Sequence, residues 1–160
     1  MYQYIYDTFT ADRKYRREIA EMENRLTDLG LMGRVERLTL FKNVRETLEE
    51  GVRRGVKTVV AVGNDETVRT ILGALPSLNL TVGLIPFGES QHLSRLLGIP
   101  RGITACDILS ARLIEKLDVG KINGAIFLTS VAIPGGKLTL ACEDLFALRT
   151  QGGAVRICTL

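Results

Sequence analysis

KTVVAV at Lys57–Val62, followed directly by GNDET at Gly63–Thr67, decides the fold class of this chain. The first segment is a β-branched run without polar alternation, which is typical of a strand buried on both faces of a parallel sheet. The second segment leads into a predicted helix over residues 67–75. A turn of this kind follows the carboxyl end of its strand, where ligands bind in open parallel sheets.

Outward from this segment, strands and helices alternate. The other strands are predicted at residues 2–6, 35–40 and 80–85, and the other helices at residues 11–29, 43–54, 90–97 and 103–117. Alternation of this kind predicts a three-layer α/β domain over residues 1–117, with a parallel sheet covered on both faces. Residues 118–160 change character: short strands are predicted at 126–133, 137–142, 145–148 and 155–160, with Gly-Gly pairs in two of the breaks. They predict a short antiparallel β extension.

Composition excludes several classes of protein. The 160 residues are 46% hydrophobic and 24% charged, as in globular proteins, and a net charge of +3 argues against a nucleic-acid partner. Three widely spaced cysteines and one histidine supply neither a disulfide framework nor a metal-ligand set, so the cysteines are expected to be buried thiols in a reducing compartment. We expect a cytoplasmic protein, because no signal peptide and no transmembrane segment is visible.

A basic run, RKYRR at Arg13–Arg17, is soon followed by Glu18, Glu21 and Glu23. The preferred interpretation is a solvated helix face in which these charges balance. Contact with an anionic ligand is the alternative.

Three turns are expected at the carboxyl edge of the sheet, at residues 7–10, 63–67 and 88–92. The last two place a glycine after a buried strand and run into a helix, an arrangement that can hold a phosphate. The plain alternative is a βα turn in which Asp65 or Ser90 caps the next helix.

At these turns the sequence resembles a known family. Residues 59–68, VVAVGNDETV, resemble the strand-GGDGT-helix segment of the diacylglycerol kinase catalytic domain, and residues 83–100 are similar to its second motif, GIIPLGTGNDFARSLGIP. Residues 118–124 resemble the crossing into that family's β-rich second domain. The resemblance implies the N-terminal fold shared with NAD kinases, followed by a remnant of the second lipid kinase domain.

The resemblance also implies an ATP-dependent lipid kinase ancestry, with ATP and Mg²⁺ as cofactors and a nucleotide or lipid as the ligand. Asp65 is then expected in the nucleotide or magnesium region, with Thr67 near the phosphates. The nucleotide-binding residues implied are Gly63, Asn64, Asp65, Glu66, Thr67, Gly88, Glu89 and Ser90. No catalytic residue is assigned, because the family carries its base in the second domain.

The departures from the family pattern weigh against activity. Asn64 and Glu66 replace two glycines of GGDGT, and residues 89–92 replace TGND. A carboxylate about 4 Å from a phosphate charge costs on the order of 4 kcal/mol at an effective dielectric near 20. The Asn-Pro-x-Ser-Gly loop of the family is also replaced, by DTFT at residues 7–10. His92 is interpreted as solvent-facing, with a general base oriented by Glu89 as the alternative.

Three hypotheses follow, and whether the chain is an enzyme is left open among them. The first is an ATP-using kinase that acts on a lipid hydroxyl. The second is a non-catalytic module that binds another ligand or partner at the same edge, where Asp7, Glu66 and Glu89 would favour a cationic group. The third is an assembly role, in which the tail strands pair between copies in a homo-oligomer.

Overall fold

The computed structural model describes residues 1–39, 43–75, 78–142 and 145–159. They divide into two compact units, Met1–Lys116 and Leu117–Leu160. Within the described residues, no helix is long and apolar enough to cross a bilayer.

The first unit is built on a parallel sheet with the strand order β2-β1-β3-β4. Its strands are β1 (Tyr2–Tyr6), β2 (Gly33–Arg37), β3 (Thr58–Gly63) and β4 (Thr81–Pro86). Its helices are α1 (Arg16–Asp28), α2 (Val44–Arg53), α3 (Asp65–Ala74), α4 (His92–Leu96) and α5 (Ile103–Ser110). The predicted parallel α/β class is confirmed.

The sheet is covered on both faces. Helices α1 and α5 pack together on one face, and α2 and α3 pack together on the other. On the α1 side, Tyr4 and Tyr6 are buried, and the Tyr6 hydroxyl donates a 3.0 Å hydrogen bond to Glu23 of α1. On the α2 side, the buried Gln3 amide donates to the backbone oxygen of Thr47 at 3.3 Å. The alternation along β1 therefore places Tyr4 and Tyr6 on the α1 face, and Gln3 and Ile5 on the opposite face.

Among the helices, α1 and α5 differ most from their predicted bounds. Helix α1 begins at Arg16, because residues 8–11 and 13–15 form 3₁₀ turns before it. Helix α5 ends at Ser110 instead of Leu117, and Arg112 follows it in a left-handed conformation with φ of 54°. Beyond this break, Leu113 and Ile114 are 86% and 71% exposed, so these two apolar side chains do not pack into the core of the first unit.

Helix α2 begins as predicted. The Asn43 side chain accepts hydrogen bonds from the backbone N–H groups of Arg45 (3.0 Å) and Glu46 (3.5 Å), which caps the helix. The strand predicted at residues 35–40 is shorter and earlier, since β2 covers Gly33–Arg37 and residue 40 lies outside the described residues.

The second unit contains antiparallel strand pairs. Its strands are β5 (Gly120–Ile122), β6 (Ala125–Phe127), β7 (Ser130–Ile133), β8 (Leu138–Cys142), β9 (Phe146–Thr150) and β10 (Val155–Cys158). They pair as β5 with β6, β7 with β10 and β8 with β9. The antiparallel character was predicted, whereas β5 was not, and the strand predicted at residues 126–133 is two strands. Residue 160, at the end of the last predicted strand, is outside the described residues.

The expectation that the cysteines are buried is wrong for two of the three. Cys106 is fully buried in α5, whereas Cys142 and Cys158 are exposed on β8 and β10. The reason is that β8 and β10 each belong to a two-stranded sheet, which is too small to bury both of its faces.

Candidate functional site

The strand order places a topological switch point between β1 and β3. The chain leaves β1 towards β2 on one side, and leaves β3 towards β4 on the other, so a crevice opens between these two carboxyl ends. Asp7 follows β1 and the turn 63–67 follows β3. The Thr67 hydroxyl donates a 2.6 Å hydrogen bond to the Asp7 carboxylate, which joins the two sides of the crevice.

The turn 63–67 is held by a capping box. The Asn64 side chain accepts from the backbone N–H groups of Glu66 (3.1 Å) and Thr67 (3.2 Å), and the Thr67 hydroxyl accepts from the Asn64 N–H at 3.0 Å. The cap of α3 is therefore Asn64, and the interpretation that Asp65 caps it is wrong. Gly63 is required for close approach, since a Cβ there would lie 2.1 Å from the Thr67 hydroxyl oxygen.

Asp65 bridges the two glycine turns. Its backbone N–H donates to the Ser90 oxygen at 3.0 Å. Its carboxylate accepts from the backbone N–H groups of His92 (2.8 Å) and Leu93 (3.2 Å), which begin α4. Asp65 thus caps α4, 27 residues away, and Ser90 does not. The structure brings the turns 63–67 and 88–92 together through this one residue.

The Glu66 side chain is held in an ion pair with Arg69. Its carboxylate accepts from the Arg69 guanidinium, with the Nε contact at 2.8 Å and a second contact from Nη2. The hydrogen bond from Arg69 lowers the pKa of Glu66 and raises that of Arg69. The partner Arg69 was missed in the sequence, although opposite charges three residues apart on a helix are the ordinary signal for such a pair. The pair neutralises much of the negative charge that Glu66 would otherwise present.

The second turn carries a run of free backbone donors. Gly88 and Ser90 both have positive φ, 76° and 57°. Among the described residues, nothing accepts from the backbone N–H groups of residues 88–91. Successive free N–H groups in a turn conformation can form an anion-binding concavity. The Glu89 and His92 side chains are exposed, which fits the solvent-facing interpretation of His92.

Aromatic rings connect the segment after β1 to this second turn. The Phe9 and Tyr15 rings lie 5.6 Å apart, and the Tyr15 and Phe87 rings 6.4 Å apart, both in edge-to-face contact. A Cβ on Gly88 would lie 2.8 Å from the Phe9 ring. This contact was not predicted, because nothing in the local pattern relates Phe9 to a glycine 79 positions later.

The residues present fit a phosphate better than a bare metal ion. The free amides of residues 88–91 are suitable donors to phosphate oxygens. In the part of the chain that the structure describes, no group of three or more His, Cys, Asp or Glu side chains could hold a metal. Mg²⁺ typically binds through phosphates and water with only one or two carboxylates, so a magnesium ion at this site would be held chiefly by the oxygens of a bound phosphate.

The fold and the site define a parallel α/β domain with glycine turns at the carboxyl edge of its sheet. Residues 2–122 match the family model of the diacylglycerol kinase catalytic domain. The chain belongs to the diacylglycerol kinase catalytic domain family, as its two motifs indicate.

Relatives of this family match most of the chain. It is 25% identical over 145 residues to a diacylglycerol kinase of Bacillus subtilis (strain 168), covering 88% of this chain and 47% of that protein. It is 31% identical over 121 residues to a probable YegS-like lipid kinase of Pseudomonas aeruginosa, covering 73% of this chain and 39% of that protein. The chain spans less than half the length of these relatives.

Solved structures agree on the fold. A diacylglycerol kinase crystal structure from Bacillus anthracis str. Sterne superposes with a TM-score of 0.73 at 20% identity, over 83% of this chain and 47% of that one. A second crystal structure from the same organism, of a putative diacylglycerol kinase, superposes with a TM-score of 0.71 at 21% identity. At this identity the likeness establishes the architecture alone.

Proposed function

We propose that the first unit binds the phosphates of ATP, with Mg²⁺, and serves as the nucleotide-binding part of a lipid kinase that phosphorylates a lipid hydroxyl. The observation that carries this proposal is the run of free N–H groups at residues 88–91, held against α3 by Asp65. Membership of the diacylglycerol kinase family supports it. Residues 118–160 would then correspond to part of the second lipid kinase domain.

The proposal assigns different tasks to the two turns. The turn at Gly88, Glu89 and Ser90 donates backbone N–H groups to phosphate oxygens, since these donors have no partner within the described residues. The turn 63–67 forms the neighbouring wall: Asn64 and Thr67 hold its shape, and Asp65 fixes the second turn beside it. Gly63 allows this close packing.

Glu66 is compatible with a bound phosphate because of Arg69. A lone carboxylate beside a phosphate costs on the order of 4 kcal/mol at 4 Å and an effective dielectric of about 20. The Arg69 guanidinium that contacts Glu66 offsets part of this repulsion, and solvent screens the remainder because both side chains are exposed. We expect a weakened phosphate site, not an abolished one.

The experiment is a thermal denaturation series with ATP and Mg²⁺ at millimolar concentration. Binding to the folded state alone stabilises by about 2.7 kcal/mol when the ligand is at 100 times its Kd. We expect the wild-type melting temperature to rise, and Glu66→Gln to increase the shift because a negative charge beside the phosphates is removed. Glu50→Gln is the matched control, since Glu50 also pairs with an arginine, Arg54, on an exposed helix face.

A specific observation favours the second candidate, a non-catalytic binding module. The first-turn N–H groups of both α3 and α4 are already occupied, by Asn64 and Asp65. If these bonds persist, fewer donors remain for a phosphate than in an open glycine loop. Absence of a thermal shift in both wild type and Glu66→Gln would reject nucleotide binding in favour of this module. Transfer of labelled phosphate from ATP to a lipid extract would establish activity.

A further inference from the structure

The outer edge of the parallel sheet at β2 is open. Among the described residues, β2 pairs only with β1, so no strand lies along its other side. The Leu38 N–H donates to the backbone oxygen of Tyr6 at 2.8 Å, and backbone groups alternate in direction along a strand. The residues of β2 whose backbone groups face outward are therefore Gly33, Val35 and Arg37. This row of donors and acceptors is a template for pairing with another strand.

The opposite edge of the sheet, at β4, does not offer the same template. The Phe87 N–H donates to the backbone oxygen of Gly63 at 2.8 Å, so the backbone of the preceding residue, Pro86, faces outward. Proline has no N–H to donate, and the Pro86 oxygen already accepts from the Gly102 N–H at 3.2 Å. Head-to-tail pairing of β2 with β4 of another copy is thus disfavoured. The remaining arrangement is a symmetric contact of β2 with β2.

The charges of β2 are self-complementary in one antiparallel register. Arg34 and Glu36 point to the same face of the strand, where they form a 3.1 Å ion pair within one copy. When two β2 strands run antiparallel about a two-fold axis at Val35, Arg34 of each copy lies directly opposite Glu36 of the other. A shift of two residues instead opposes Arg34 to Arg34, or Glu36 to Glu36. Opposed unlike charges stabilise a sheet and like charges destabilise it, so the register centred on Val35 is favoured.

The same register uses the outward backbone groups and covers exposed apolar side chains. The two Val35 residues form a hydrogen-bonded pair, and Gly33 of each copy forms another with Arg37 of the other. On one face of the sheet the two Val35 side chains, each 47% exposed in a single copy, lie side by side. On the other face Met32, which is 69% exposed, lies opposite Leu38. Backbone, charge and apolar surface therefore agree on one arrangement.

We propose that the open β2 edge is an interaction surface for a second copy of this chain, and that antiparallel β2 strands join two sheets into one. The occupant is a second copy because the charge pattern of β2 fits its own image. The inference is independent of the proposed function, since no residue of β2 belongs to the candidate site. The two-fold axis is normal to the sheet, so the candidate sites of the two copies open in opposite directions. A strand of five residues is a small contact, and we expect a weak, concentration-dependent dimer.

The experiment is sedimentation equilibrium over a range of protein concentrations, with charge-reversal variants. Glu36→Arg and Arg34→Glu each place like charges opposite one another in a dimer of identical copies. One opposed charge pair changes the affinity by up to about fivefold, and two symmetry-related pairs change together, so each variant should dimerise at least about tenfold more weakly. An equimolar mixture of the two variants again opposes unlike charges at both pairs. The mixture should therefore form a heterodimer about as tightly as the wild-type dimer.

Two further variants separate the β2 contact from general effects. Glu49→Arg makes the same change in net charge at another exposed ion pair, with Arg45 at 2.9 Å on α2. It should leave dimerisation within about twofold of wild type, because exposed charges distant from the contact contribute little. Val35→Pro removes the outward N–H at the centre of the contact, a position where an edge strand tolerates proline. We expect it to abolish the dimer while its urea denaturation midpoint stays near that of wild type.

Three outcomes would overturn the β2 dimer. A wild-type chain that stays monomeric at millimolar concentration would show that the open edge does not accept a second copy. A dimer that persists in folded Val35→Pro would place the contact on another surface, such as the exposed strands of the second unit. A mixture of Glu36→Arg and Arg34→Glu that associates no better than either variant alone would show that these charges do not face each other.

Discussion

The Thr67 hydroxyl donates to the Asp7 carboxylate at 2.6 Å while accepting from the Asn64 N–H at 3.0 Å. One side chain thereby joins the segment after β1 to the turn after β3, across the switch point of the sheet. Because the acceptor is a carboxylate, this bond belongs to the stronger, charge-assisted class. The turn 63–67 is therefore built around a buried threonine.

Replacing Thr67 by valine should destabilise the protein by about 1.5–3 kcal/mol, the value typical of a hydrogen bond to a charged group. Valine keeps the shape of the side chain, but the Asn64 N–H loses its acceptor and the Oδ2 atom of Asp7 loses its donor. Urea denaturation measures the free energy of unfolding.

Thr47→Val is the control for the Thr67 variant. The Thr47 hydroxyl also forms a hydrogen bond near the start of a helix, but at an exposed site. It donates to the backbone oxygen of Asn43 at 3.0 Å. We expect its replacement to cost less than about 1 kcal/mol, the mean net contribution of a neutral hydrogen bond. Equal losses of unfolding free energy in the two variants would show that the Thr67–Asp7 hydrogen bond stabilises the protein no more than an exposed neutral one.

Asp65→Ala should loosen α4 without unfolding the sheet. The variant removes the acceptor of the His92 and Leu93 N–H groups, and loss of a capping acceptor costs about 0.5–2 kcal/mol. Hydrogen exchange should accelerate at these two amides. Asp65→Asn retains one acceptor oxygen, so its exchange rates at these amides should lie between those of wild type and Asp65→Ala. Unchanged exchange at His92 and Leu93 in Asp65→Ala would contradict the bridge between the turns.

Gly88→Ala should be far more damaging than Gly98→Ala. Both glycines have positive φ, 76° and 66°, so the backbone strain of alanine is similar. A Cβ on Gly88 would lie 2.8 Å from the Phe9 ring, whereas a Cβ on Gly98 meets nothing within 4 Å. We expect Gly98→Ala to lower the free energy of unfolding by about 1 kcal/mol. Gly88→Ala should lower it by about 1–3 kcal/mol more, because the added Cβ overlaps the Phe9 ring. Urea denaturation measures both values. Comparable losses would show that the Phe9 ring moves aside freely.

The parts of this protein that sequence reasoning predicted correctly depend on local patterns. The run at Val59–Val62 is apolar and buried on both faces, which is typical of a parallel sheet covered on both sides. Asn43 precedes its helix with the side chain that caps it. In both cases the information lies within a few residues of the element that it specifies.

The parts that sequence reasoning missed depend on contacts between distant residues. Asp65 looked like the cap of its own helix, but its acceptors serve α4, which only the assembled sheet edge brings near. The glutamates after Arg17 looked like its neutralising partners, but tertiary packing assigns Glu18 to Arg101 and Glu23 to Tyr6. Where a side chain can reach several partners, the fold determines which one it contacts, and sequence spacing does not.

Thiol labelling should separate the three cysteines. Cys142 and Cys158 are exposed and should react quickly with a thiol reagent at mildly alkaline pH, whereas Cys106 is buried in α5 and should react only as the fold opens. Burial raises the pKa of the Cys106 thiol from 9.0 to about 11. Three rapidly reacting thiols in the native protein would contradict the packing of α5 on the sheet.

The same thiol predicts how stability depends on pH. Because the folded pKa of Cys106 is raised, its contribution is fully present below pH 9.0 and is lost as the pH rises towards about 11. In this range the unfolded chain releases the thiol proton while the folded protein retains it. Urea midpoints measured between these pH values should fall more steeply for wild type than for Cys106→Ala. Parallel pH profiles would show that burial of Cys106 does not disfavour its thiolate.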